Sequence, residues 1–172
     1  MPNTFQLIAS STVGAGGAAS IDFSSIPSTY TDLCLKISAR VDASGGASSF
    51  NINVAINGVS TNRSWRLLEA YDGTNVWSNN NTTARLAVVG GSTTTASTFN
   101  NAEIYIPNHA GSNNKSISSD FVSEQNSSTV NSLGFYAGLW SQTTAINQLT
   151  LTSTSGNFVQ YTTAYLYGVK NS

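Results

Sequence analysis

TDLCLKISARVD, residues 31–42, decides the fold class. Leu33, Leu35, Ile37, Ala39 and Val41 share one parity, and Cys34, Lys36, Ser38, Arg40 and Asp42 share the other. Side chains on an extended chain point alternately to opposite sides. Strict period-two alternation therefore predicts a β-strand with one face in a core and one in water. A helix would scatter the same charges around its whole circumference.

The alternation recurs on both sides of that stretch. Upstream, Phe5, Leu7 and Ala9 mark one short strand and Ala19, Ile21 and Phe23 a second, with a glycine-rich turn between them. Pro27 holds Ile26 extended and makes a corner before the central strand. Downstream, Phe50, Ile52, Val54 and Ile56 alternate until Asn57-Gly58, a turn pair, stops them. Further strands are predicted at 85–89, 99–107, 117–121, 135–141, 146–152 and 161–170. The 135–141 strand carries bulky residues on both parities, which predicts cover on both faces. Residues 59–81 contain Trp65, Leu67, Leu68, Tyr71 and Trp77 without a sustained period, and read as a long loop with one short strand near 66–70. No segment shows a 3.6-residue apolar stripe. Nine or ten strands of ordinary length predict an all-β, antiparallel β-sandwich, jelly-roll-like, as one domain over residues 1–172. An immunoglobulin-like sandwich is the alternative topology. Residues 1–11 read either as the first strand or as an N-terminal arm.

Composition narrows the partners. Charged residues are 9% of the chain and the formal net charge is −1. Average proteins carry about 25% charged residues; here Ser, Thr, Asn and Gly stand in their place. Seven scattered basic residues form no stripe for a nucleic-acid backbone and no polybasic patch for a membrane. No apolar run approaches membrane-spanning length. MPNTFQLIASS lacks a basic region followed by an apolar one, which predicts synthesis in the cytoplasm without a signal peptide. Cys34 is the single cysteine, so no internal disulfide is expected.

Catalytic motifs are sparse. His109 is the only histidine and reads as a solvated loop residue. No nucleophile elbow or phosphate-binding glycine pattern occurs. Asp72-Gly73-Thr74-Asn75 lacks the remaining ligands of a calcium loop. Neither a cofactor nor a metal is expected. The eight acids form no recognisable catalytic pair, and Glu69 and Asp72, beside Trp65, Tyr71 and Trp77, make the most suggestive group. Carboxylates beside aromatic rings suit sugars; the same pattern also suits a loop packing its rings beneath itself.

Three stretches carry a family resemblance. IDFSSIPSTYTDLCLKISAR (21–40) resembles the opening of small structural proteins of tailed bacteriophages, matching at Phe23, Ser25, Ile26, Pro27, Thr29, Tyr30, Thr31 and Leu33. GLWSQTTAINQLTLTSTSGNF (138–158) resembles a later segment of the same group, and AYLYGV (164–169) its closing strand. The resemblance implies a jelly-roll virion protein, of the capsid decoration (cement) or fibre type, and not an enzyme. The expected role is a cement protein on the outer surface of the head. Its partners would be the major capsid protein and copies of itself, as a homotrimer, with Phe5 and Leu7 as capsid contacts. The alternative is a tail-fibre or receptor-binding module that holds host surface glycan through Trp65, Tyr71 and Trp77. A glycan hydrolase using Glu69 or Asp72 is a third reading.

Overall fold

The computed structural model describes residues 4–47, 49–72, 75–126 and 131–170. Its strands are β1 (Phe5–Thr12), β2 (Ser20–Phe23), β3 (Asp32–Ala39), β4 (Phe50–Ile56), β5 (Arg63–Tyr71), β6 (Asn75–Asn81), β7 (Arg85–Val89), β8 (Asn100–Ile106), β9 (Lys115–Ser123), β10 (Ser132–Trp140), β11 (Leu149–Ser153) and β12 (Thr163–Val169). All pair antiparallel, in an eight-stranded sheet of order β1-β12-β3-β8-β9-β10-β5-β6 and a four-stranded sheet of order β2-β11-β4-β7. The fold is the expected all-β sandwich, with twelve strands among the described residues instead of nine or ten.

Without the hairpins β5–β6 and β9–β10, the remaining eight strands pair first with last. β1 lies on β12 and β3 on β8 in one sheet; β2 lies on β11 and β4 on β7 in the other. This is one long two-armed hairpin rolled into two layers, the jelly-roll order. The two extra hairpins join along β10 and β5 and widen one sheet only.

β3 behaves as its pattern demands. Leu33, Leu35, Ile37 and Ala39 face the core, and Lys36 faces out. The core between the sheets gathers Ile52, Val54 and Ile56 of β4, Leu149 and Leu151 of β11, Ala164 and Leu166 of β12, and Phe158. Under the extra hairpins it turns aromatic. Trp65 meets Tyr136 edge-on at 5.2 Å between ring centroids, and Phe121 lies 5.6 Å from Tyr136. Two inward serines are bonded across the sandwich: Ser119 Oγ donates to the Leu86 carbonyl at 2.6 Å, and Ser123 Oγ donates to that of Ala47.

The predicted long loop at 59–81 is a hairpin instead. Arg63, Trp65, Leu67 and Glu69 point inward and Ser64, Arg66 and Leu68 outward, so the period of two is present. A buried carboxylate on the inner parity and an exposed leucine on the outer one disguise it. β6 is exposed at every position, and its asparagine run has little intrinsic strand preference. Pairing with β5 makes it a strand. Gly73 and Thr74, within the calcium-like fragment, lie outside the described residues.

β1 pairs with β12 along its own sheet, the first-strand reading, with a bulge between Leu7 and Ala9. A bulge is one way an edge strand is kept from pairing with strangers. Met1 to Asn3 lie outside the described residues.

Candidate ligand pocket and docking face

The four-stranded sheet ends at β7, which packs over β8, β9 and β10, while β5 and β6 run on beside it. The step leaves a recess of about 260 Å³ lined by Glu69, Tyr71, Trp77 and Arg85. Register explains the company: Glu69 sits opposite Trp77 and Tyr71 opposite Asn75, all on the inner parity of β5 and β6. Arg85, at the start of β7, closes the recess from the second sheet.

Glu69 is only 2% exposed. Its Oε1 accepts a hydrogen bond from Ser132 Oγ. Its Oε2 accepts none, and stands 3.5 Å from an Arg85 terminal nitrogen. The Arg85 guanidinium lies 5.4 Å from the Tyr136 ring centroid and 5.9 Å from that of Trp65, within cation–π range. Arg85 Nε is buried and donates to nothing. A buried polar atom without a hydrogen bond costs about 1–3 kcal/mol; here Glu69 Oε2 keeps only the Arg85 ion pair, and Arg85 Nε has no acceptor. Burial, ahead of the opposing Arg85 charge, pushes the Tyr136 phenol above its usual range.

Of the three aromatic residues expected to hold glycan, Tyr71 and Trp77 line the recess, with Trp77 39% exposed. Trp65 does not. It is buried, and its indole donates to Thr83 Oγ1 at 3.1 Å. Trp65 is therefore a floor under Arg85 and not a stacking surface. Arg85 itself carries no motif, and only the fold brings it to Glu69.

The second feature is the outer face of the eight-stranded sheet. The register lays Val76, Ala70, Leu133 and Val122 in one row, and Leu68 and Phe135 in the next, followed by Asp120, Glu103, Lys36 and Tyr165. Phe135 is 57% exposed; Leu68, Leu133, Val122, Val76 and Leu139 are exposed as well. The predicted double cover of the 135–141 strand is thus corrected: Tyr136 and Trp140 enter the core while Phe135 and Leu139 meet solvent. The other end of the same face carries Phe5 and Leu7. Both are exposed, and Phe5 sits edge-on to Tyr167 at 6.5 Å. Lys36 and Glu103 pair at 2.8 Å between the two apolar ends.

Two residues with chemical potential are enclosed. Cys34 lies on the outer parity yet is buried, and desolvation first, then the Glu103 charge, pushes its thiol up to about 11. His109 is fully buried, contrary to the solvated reading. Its Nδ1 is 3.3 Å from the Ile146 carbonyl, and its backbone bonds to Thr31 and Ile146. The neighbouring Lys115 donates to the Gly111 and Asn113 carbonyls and braces the same loop. Among the described residues no group of three or more His, Cys, Asp or Glu is arranged to hold a metal. No family model, curated protein or solved structure matches the chain.

Proposed function

We propose that the chain is a structural protein of a tailed-bacteriophage particle, a cement protein seated on the capsid through the outer face of its eight-stranded sheet. The observation that carries the reading is the exposure of Phe135, Leu133, Val122, Leu68 and Val76 as neighbours on one open sheet. A contiguous apolar patch of this kind on a soluble domain marks a surface made to be covered. Eight strands span about 34 Å, and seven residues along a strand about 24 Å. The face therefore measures roughly 800 Å², the area one partner contributes to a protein interface of standard size. The jelly-roll order and the three phage-like stretches support the virion setting.

On this reading the major capsid protein covers the apolar rows, and burying them stabilises the shell by linkage, since the protein binds the assembled lattice and not its separated parts. Phe5 and Leu7 extend the contact at the far end of the same face. Copies of the chain assemble as a trimer around each site.

The test is binding of the purified chain to heads that lack it, read by co-sedimentation and particle imaging. The wild type should decorate the head lattice, and Phe135→Asp and Leu133→Asp should not, with their folds intact. Decoration by both variants, or wild-type density confined to the tail, would overturn the proposal.

A further inference from the structure

We propose that the recess between β5, β6 and β7 is a binding site for a neutral saccharide ring. It goes beyond the docking reading and uses other residues, on the opposite face of the sheet. The inference rests on chemistry converging at one place. Trp77 offers a partly exposed indole on the recess wall, the surface against which the C–H face of a pyranose packs. Behind it, Glu69 Oε2 is a buried acceptor without a hydrogen bond and Arg85 Nε a buried donor without one. Adjacent ring hydroxyls each present a donor and an acceptor. One can therefore donate to the carboxylate while its neighbour accepts from the guanidinium.

The same pair sets the charge of the ligand. Glu69 and Arg85 offset each other at 3.5 Å, so the recess presents one negative and one positive group together. An acidic sugar would meet the Glu69 carboxylate, and a cationic ligand the Arg85 guanidinium; a neutral one meets neither penalty. The volume, about 260 Å³, is below that of pockets for drug-sized ligands and suits a single ring, with the open side leaving room for a chain to continue. Trp65, placed beneath Arg85, holds the guanidinium in position without touching the sugar.

The experiment uses the full chain in solution and a panel of free sugars: glucose, galactose, mannose, rhamnose and N-acetylglucosamine, with glucuronic and sialic acids as charged controls. Saturation-transfer NMR and tryptophan fluorescence read binding, and neither depends on a capsid, so failure of the docking proposal leaves this one standing. At least one neutral sugar should bind at millimolar strength and the acids more weakly. Trp77→Ala, on an exposed edge strand, should keep its melting temperature and weaken binding about tenfold, the loss of one stacking contact. Glu69→Gln should weaken it too. No binding by any neutral sugar at tens of millimolar, preference for the acids, or undiminished binding by Trp77→Ala would each overturn the site.

Discussion

Gly168→Ala probes the joint where the corner before β3 meets the closing strand β12. Tyr30, from the corner before β3, lays its ring on Gly168 of the closing strand. A methyl group at Gly168 would stand 2.5 Å from Tyr30 Cδ2 and closer still to Cγ and Cδ1, inside van der Waals contact. The ring is held on three sides. Its hydroxyl donates to Gln6 Oε1 at 3.2 Å, Lys170 Nζ lies 5.4 Å from its centroid, and the backbone beside it is tied by the Thr31 N–H to the Val169 carbonyl at 2.8 Å. Overpacking a tight site costs about 1–3 kcal/mol. Tyr30 is only half-buried, so the ring can swing outward, and the lower part of that range, about 1–2 kcal/mol, is expected. For a chain of this length each kcal/mol lowers the melting temperature by about 2–4 °C, so Gly168→Ala should melt about 2–8 °C below wild type. A double-mutant cycle with Tyr30→Ala isolates the contact: without the ring, the added methyl should cost almost nothing. Calorimetry or circular dichroism reads all four proteins. An unchanged melting temperature for Gly168→Ala, or the same cost with and without the Tyr30 ring, would refute the reasoning.

Two further outcomes follow from buried groups. Burial holds His109 below its usual range, against the opposing pull of its bond to Ile146. The unfolded chain then binds the proton more readily, so the stability this group contributes is present above the unfolded value and is lost as pH falls from there through the folded one. Melting temperature should therefore decline from about pH 7 toward about pH 5, and His109→Gln should flatten that part of the profile; an identical slope in the variant would contradict the assignment. Cys34, with its thiol near 11 and no exposed surface to speak of, should ignore an aromatic disulfide reagent at about pH 8 until denaturant is added; rapid labelling of the native protein would show the strand open.

Much of the sandwich was legible because one-sided burial writes itself into parity. β3, β4, β8 and β12 alternate cleanly, and each has its apolar set in the core. Asn57-Gly58 was legible as a turn for a backbone reason: both residues have positive φ, 50° and 73°, which asparagine and glycine tolerate best. The motif around Tyr30 and the closing YGV were readable separately, but nothing local says that they touch. The hairpin β5–β6 was hidden. Glu69 faces inward because Ser132 and Arg85 come from other strands to meet it, and Leu68 faces outward because its side of the sheet has no covering layer. His109 was misplaced on the same account, since its enclosure depends on neighbours far along the chain.

The sequence by itself determined that this is an extended-strand protein with a low-charge surface, because alternation and composition are properties of single segments. Tertiary structure alone decided that β9, β10, β5 and β6 widen one sheet, so that Phe135 lies bare beside Leu68 and Leu133 and Arg85 reaches Glu69 across the step. Those neighbours are set by strand order and register, and two segments acquire an order only when the whole chain has closed.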